Sequence, residues 1–400
     1  MRDTVSRGFQ QVRLGEISRV TGGKRLPKGR NLQKERSLFP YIRVADFPGG
    51  QIDLDSVKFI SPDLGKALSR YRVSSGDLII SVAGTLGVVA MVPDKLDGAN
   101  LTENADRISA IKQALPEFLL EALRSDNVQA ALLAEATQNA QPKLALERIR
   151  NLKFGLPPLT EQHEIVKILR TWDEALEKLT VLRDKKTQRL GSLRAALIFG
   201  SLRLNGQRSQ WTPTRIAAVT HELTERNGVK GLCRDYVMGV TKVQGVVPMR
   251  EQTIAGDISR YKRLPPRAFA YNPMRINVGS IAMNQRDEEV LVSPDYVVFA
   301  CNADGLDPGY LDHLRKTSWW AHYINSGGSG SVRQRTYYAD LAALKLPLPE
   351  LDEQKAITEV LDTARGDLEA TEREIKAVTR QKRGLMQKLL TGEWRVEMEE

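Results

Sequence analysis

A segment of about forty residues occurs twice in this chain, and a long repeat constrains a fold more than any other single feature. Residues 159–169 read LTEQHEIVKIL and residues 351–361 read LDEQKAITEVL. A Leu-Pro-rich run leads into each copy, LPPL at 156–159 and LPLPEL at 346–351. The offset is constant: 353 − 161 = 192 for the Glu of the Glu-Gln pair, and 392 − 200 = 192 for the Gly that closes each segment. Leu156/Leu348, Pro157/Pro349, Leu176/Leu368, Leu193/Leu385 and Arg203/Arg395 stay in register without a gap.

Within each copy the apolar positions step by four and three. They run Ile165, Leu169, Trp172, Leu176, Leu179, Leu190, Leu193 and Leu197 in the first. In the second they run Ile357, Leu361, Ala364, Leu368, Ile375, Val378, Leu385 and Leu389. This is a heptad seam. Thr160 and Asp352 are N-cap types at the starts, and Gly200 and Gly392 stand where a terminating glycine belongs. Each helix would be about 60 Å long. A helix of that length cannot bury its stripe against a small domain alone, so the two copies are expected to pair as a coiled coil. Arg183, Lys186, Thr371 and Lys382 interrupt the seam. Polar residues there set register or contact a partner rather than add stability.

Residues 1–155 precede the first helical segment (156–204). Residues 205–347 separate it from the second, which with the tail spans 348–400. The two blocks share a weaker echo. Ile17-Ser-Arg-Val20-Thr21 answers Ile216-Ala-Ala-Val219-Thr220, Tyr41 answers Tyr236, Arg72 answers Arg263, and Gly87-Val-Val-Ala-Met91 answers Gly279-Ser-Ile-Ala-Met283. Short β-type runs at 77–82 and 296–300 and helical patterns at 116–136 and 310–324 make each block α+β. The expected architecture is two similar α/β domains separated by two long helices, a pseudo-twofold repeat. The short link at 200–211 favours an antiparallel helix pair with the domains at opposite ends.

The net charge of +10 and pI near 9.5 favour a polyanionic partner. Basic residues cluster early in each block: Lys24, Arg25, Lys28 and Arg30, with Lys34 and Arg36, in the first; Arg226, Lys230 and Arg234 in the second. A polar run follows late in each, holding Gln141 and Lys143 in the first and Arg333, Gln334 and Arg335 in the second. Arg, Lys, Asn and Gln are the types that contact base edges and phosphates. The bland alternative for any one of them is a solvated charged face. Two distant cysteines, Cys233 and Cys301, no signal-peptide pattern and no long apolar run read as a reduced, cytoplasmic chain without a membrane span. Four histidines offer no metal-ligand spacing.

Motifs for catalysis are missing. Tyr271-Asn-Pro-Met is a faint echo of an amino-methyltransferase motif without its second Pro and aromatic, and no cofactor-binding Gly-rich turn precedes it. Asn272-Pro273 reads as a turn. Gly22-Gly-Lys24 is no phosphate loop, since no Ser or Thr follows the Lys. Three functional classes stay on the table: a DNA-recognition protein, a coiled-coil scaffold that touches no DNA, and a self-contained methyltransferase or nuclease, which the missing cofactor loop disfavours.

The double Leu-Pro-Pro-Leu-x-Glu-Gln lead-in, the two heptad helices and the ending Leu389-Leu-Thr-Gly-Glu-Trp-Arg-Val396 resemble the specificity subunit of type I restriction–modification enzymes. Tyr41-Ile-Arg43-Val-Ala-Asp46 and Tyr271-Asn-Pro-Met-Arg275-Ile-Asn-Val-Gly279 add to the resemblance and bring Arg43 and Arg275 among the candidate DNA contacts. The resemblance implies two target-recognition domains, each reading one half of a bipartite double-stranded DNA target. It implies an antiparallel coiled coil that sets the spacing and docks two methyltransferase subunits, through which restriction and motor subunits join. S-adenosylmethionine, ATP and Mg²⁺ would then belong to the partner subunits, with no cofactor, metal or catalytic residue in this chain.

Overall fold

The computed structural model describes residues 8–134, 143–204, 210–229, 231–326 and 335–396. The chain forms two compact units. One holds Met1–Leu179 with Glu374–Glu400, and the other holds Thr180–Arg373. Each long helix therefore contributes one half to each unit.

The globular part of the first unit is built on a four-stranded antiparallel sheet in the order Arg19–Gly22, Ala105–Ser109, Leu78–Ser81, Val89–Met91. Successive side chains of a strand point to opposite faces, so a run apolar at every position is buried on both. Leu78-Ile-Ile80 is such a run. Leu78 and Ile80 join a core with the helix Pro116–Arg124, and Ile79 joins another with Ile42, Phe47 and Val57. The second unit repeats this sheet as Thr220–Glu222, Val297–Cys301, Phe269–Tyr271, Ile281–Met283. Phe269 and Tyr271 face one core, and Ala270 faces the other. An edge strand also recurs: Gln10–Arg13 pairs with Lys153–Leu156, and Thr212–Arg215 pairs with Lys345–Leu348.

The strand registers test the weaker echo between the blocks. Leu78 lies opposite Met91 and Phe269 opposite Met283, so the match of Met91 with Met283 holds. The match of Ile17 with Ile216 is displaced by three residues. The single-turn helix Leu14–Ile17 corresponds to Ile216–Val219, which sets Leu14 against Ile216. Both turns are closed alike, Ser18 Oγ donating to the Leu14 carbonyl at 2.7 Å and Thr220 Oγ1 to the Ile216 carbonyl at 2.9 Å. Residues three apart share one helix face, so a three-residue slip preserves the apolar pattern and hides the true register. The helical patterns at 116–136 and 310–324 each resolve into two helices. Ser125 is extended between Pro116–Arg124 and Asp126–Ala134. Thr317 closes Pro308–Leu314 and accepts from Trp320 N at the start of Ser318–Ser326. Residues 135 and 136 lie outside the described residues.

The two long helices span Leu159–Ile198 and Leu351–Leu390, 40 residues each. They begin before Thr160 and Asp352, because the carbonyls of Pro158 and Glu350 already accept the first helical bonds, from Gln162 N and Gln354 N. Gly200 and Gly392 are left-handed, with φ of 71° and 72°. The chain then wraps back, Leu202 N donating to the Ala196 carbonyl and Trp394 N to the Lys388 carbonyl.

Within each unit the helix halves run antiparallel. In the first, Lys382 Nζ reaches Asp173 at 2.6 Å and Arg395 reaches Glu161 at 2.7 Å. In the second, Lys186 Nζ reaches Asp367 at 2.7 Å and Thr371 at 3.0 Å, and Arg203 reaches Glu353 at 2.7 Å. Residue numbers thus rise along one helix as partners fall along the other. Lys186, Thr371 and Lys382 act as cross-helix pins, whereas Arg183 pairs with its neighbour Asp184. Seam burial is uneven. Ile165, Leu169 and Leu389 are buried in the first unit and Leu197, Ile357 and Leu361 in the second, where globular cores enclose them. Trp172, Leu176, Leu193, Leu368, Ile375 and Leu385 are half-buried. Among the described residues no helix is long and apolar enough to cross a membrane.

The repeated Glu-Gln pair locks each helix start. Gln162 Oε1 accepts from Leu115 N, and its Nε2 donates to the carbonyls of Gln113 and Pro157. Gln354 does the same with Asp307 N, Gly305 and Pro349. Glu161 and Glu353, 3% and 2% exposed, are each gripped through both oxygens by the arginine that follows the other helix.

Removing one partner of a fully buried pair costs about 3–5 kcal/mol. The Arg395 side chain is 45% exposed, so we expect Arg395→Ala to lower the local stability of 159–169 by roughly 2–3 kcal/mol. Hydrogen exchange should show that loss there and not at 351–361. Glu161→Ala added to Arg395→Ala should recover part of it, since no buried carboxylate is then left unpaired. A double variant no more protected than the single one would mean that Arg395 acts only through packing.

Candidate nucleic-acid interface

Each globular domain carries a concavity at the same place on its four-stranded sheet. In the first, of about 630 Å³, the strand Arg19–Gly22 runs out into Gly23-Lys24-Arg25, and the segment 143–146 re-enters beside it. In the second, of about 380 Å³, Glu222, Lys262, the turn at 272–274 and Arg335 surround the corresponding space. One hydrogen bond fixes the equivalence. Leu144 N donates to the Val82 carbonyl at 3.0 Å, and Thr336 N donates to the Pro273 carbonyl at 3.1 Å. Lys143 and Arg335 are the residues just before these donors, and 335 − 143 is again 192.

The backbone of the first concavity is held tightly. A Cβ on Gly23 would lie 2.0 Å from the Thr102 carbonyl oxygen, so only glycine lets the chain approach this closely. Lys24 N then donates to the Leu101 carbonyl, and the Lys24 carbonyl accepts from Tyr41 Oη at 2.7 Å. With its backbone pinned on both sides, Lys24 projects its exposed ammonium 5.9 Å from the Tyr71 ring. Arg25 Nε bonds Glu103 at 2.6 Å, yet its side chain is largely exposed and faces outward. Asp106 lines the floor. Burial raises its pKa to about 6, against the opposing pull of Lys143 and Arg150.

The structure therefore brings Lys24, Arg25 and Lys143 together and places Arg335 in the second concavity. The remaining candidates stand elsewhere. Lys28 is exposed beyond the rim, and Arg30 pairs with Asp63 at 2.9 Å on the surface. Arg43 spends its donors inside the fold, on Asp46 and on the Ser56 carbonyl at 3.0 Å. Arg226 donates to the Arg260 carbonyl, and Arg234 ties Glu251 to the carbonyls of Ile254 and Ala255. Arg275 is exposed after the turn at Asn272, whose Oδ1 accepts from Met274 N and whose carbonyl accepts from Arg275 N. Gln141, Lys230, Arg333 and Gln334 lie outside the described residues.

Sequence reasoning missed Asp106, Glu103, Glu222 and Lys262. For Asp106 a signal existed: a carboxylate inside the strand Ala105–Ser109, between Ala105 and the apolar Ile108. Lys262 carried none. Its Nζ donates to the Tyr296 carbonyl at 2.7 Å, and burial lowers its pKa. Among the described residues no cluster of three or more His, Cys, Asp or Glu could hold a metal ion.

Comparison with known proteins agrees with this geometry. Residues 6–183 match the family described as the type I restriction modification DNA specificity domain. Along 91% of its length the chain is 23% identical to the putative type I restriction enzyme MjaX specificity subunit of Methanocaldococcus jannaschii, covering 89% of that protein. Two solved structures share the fold. One is the type I restriction–modification system S subunit from M. genitalium, at a TM-score of 0.55 and 14% identity over 100% of this chain and 98% of that one. The other comes from work on complex assembly and conformational transition of the type I R-M system, at a TM-score of 0.55 and 17% identity over 98% and 100%. The duplicated domain with a concavity in each copy thus goes with a similarity to type I restriction enzyme specificity subunits, by family model over residues 6–183 and nearly end to end with one such subunit.

Proposed function

We propose that this chain is the non-catalytic, sequence-reading subunit of a type I restriction–modification complex. Each of its two domains reads one half of a bipartite duplex target, and the paired helices set the spacing and dock two methyltransferase subunits. Restriction and motor subunits join through these, and S-adenosylmethionine, ATP and Mg²⁺ are held by the partners. The complex works in the cytoplasm, where its DNA is. One observation carries the reading: the same concavity occurs once per domain, with the same backbone frame and a different lining. A scaffold that touches no DNA would need neither the duplication nor the difference.

Domain exchange tests this directly. Replacing 1–155 by the corresponding domain of another such subunit should change one half of the methylated motif and leave the other intact, as methylome sequencing of a host would show. If both halves change together, the domains do not read independently.

The rim cations should bind phosphates. Triple substitution of Lys24, Arg25 and Lys143 by Ala should weaken binding of the assembled complex to its target. The slope of log affinity against log salt should become shallower by ~0.9 for each phosphate that is no longer neutralised. An unchanged affinity and slope would make the cluster a solvated face.

A further inference from the structure

Eight carboxylates are buried among the described residues. Seven of them are held by an arginine at 3.1 Å or closer. The eighth is Asp106. It is 5% exposed and makes no side-chain hydrogen bond among the described residues, although it lines the 630 Å³ concavity of the first domain. Lys143 and Arg150 influence it only through space. Arg150, at the end of the short helix Leu146–Arg150, spends its donors on the Val20 carbonyl and Glu147. Burial disfavours a carboxylate's charge, so a domain that keeps one opening onto a concavity with no arginine bonded to it is holding an acceptor for something that enters.

The chemistry of the entrant follows from the surroundings. Lys24, Arg25 and Lys143 on the same concavity draw in an anionic ligand. The recessed carboxylate asks that ligand for a hydrogen-bond donor. A nucleic acid carries both, phosphates outside and exocyclic amino groups on the base edges. An Asp or Glu accepting from cytosine N4 is an established form of base readout. The second domain lacks this feature. Strand register sets Ile80 opposite Asp106 and Tyr271 opposite Val297, so a valine occupies the matching floor position. An apolar side chain there suits a thymine methyl, not an amino group.

Resting on the DNA-reading function above, we infer that Asp106 is a specificity-determining residue of the first domain. Its carboxylate accepts a hydrogen bond from the exocyclic amino group of one base in that half-site, cytosine N4 foremost.

The test is Asp106→Asn in the complex assembled with its methyltransferase subunits, read by the methylated motif. We expect discrimination at one position of one half-site to fall by about 5- to 150-fold, the span of a single good base contact, with the other half unchanged. Thermal unfolding should not drop, because the substitution removes a charge that burial disfavours; a structural role would lower it. Full methylation with an unchanged motif would overturn the proposal while leaving the DNA-reading function intact. So would loss of methyltransferase docking with DNA preference retained, which would assign Asp106 to a protein contact.

A second measurement needs no variant. The groups around Asp106 are Lys24, Arg25, Lys143, Arg150 and Glu103. Burial works upward on Glu103, but the bond from Arg25 holds it below the usual carboxylate range. As pH falls below about 6, Asp106 protonates and ceases to be a charged acceptor. The wild-type complex should then lose discrimination at that one position, measured with duplexes substituted base by base, and regain it above. Discrimination unchanged across that range would count against Asp106. Absence of salt-dependent duplex binding by the wild-type complex would instead defeat the DNA-reading function itself.

Discussion

Each unit of this molecule depends on a carboxylate taken out of water at the start of one long helix and neutralised by the arginine that follows the end of the other. Glu161 meets Arg395, and Glu353 meets Arg203, each through a two-pronged contact. Such charge-assisted pairs are roughly twice as strong as neutral hydrogen bonds and tolerate little misalignment. The arginines also lie over an aromatic ring beside the edge strand, Phe9 at 5.5 Å and Trp211 at 5.1 Å. A Glu so deeply buried cannot stay ionised alone without large cost. The start of one helix is therefore stable only when the tail of the other has arrived. Neither globular domain is completed by its own stretch of sequence. The polar lock adds direction to what the heptad seam supplies as unspecific apolar area.

That lock explains which parts of the fold can be read from the residues. Its members recur at one spacing because each is held by fixed partners, so the Glu-Gln pair, the closing glycine and the returning arginine stand out in the bare sequence. The antiparallel sense is legible in the short link at 200–211. Where an interaction is purely apolar the sequence is ambiguous. Leu14 and Ile17 present the same pattern when slipped by three, so the register between the blocks is not legible there. Ser125 and Thr317 break helices whose apolar period continues across the break, because each hydroxyl satisfies the carbonyls a turn leaves free. Periodicity reports a shared face and not an unbroken backbone.

The candidate site is legible in one respect and opaque in another. Cations at the start and end of the first block mark its concavity, where Lys24, Arg25 and Lys143 converge, whereas in the second block Arg335 lines the concavity and Arg226 and Arg234 stand elsewhere. Arginine, however, has five donors and serves equally well as internal glue. Arg43 and Arg234 are used to tie loops to their own carbonyls and carboxylates, and nothing in the local sequence separates them from Arg25. Acidic residues escape notice because a basic interface directs attention to cations. Yet a recessed acceptor is the rarer and more informative feature of the concavity.

The contrast between lock and concavity has a thermodynamic origin. At the helix starts, changing Gln162 would strand the Leu115 amide, and changing Arg395 would strand Glu161, each a cost of about 1–3 kcal/mol or more. The two copies of the lock therefore look alike. In the concavities the side chains project from a backbone held by ladder bonds and by the Leu144 and Thr336 amides, which make no demand on side-chain identity. Asp106 can face Val297 across the pseudo-repeat, and Lys143 can face Arg335, at little cost to folding. Asp106 even works against folding, since burial disfavours its charge. Divergence is thus cheapest in the concavities and dearest where one helix closes on the other. A chain built this way can alter the lining of each concavity separately while the two locks stay the same.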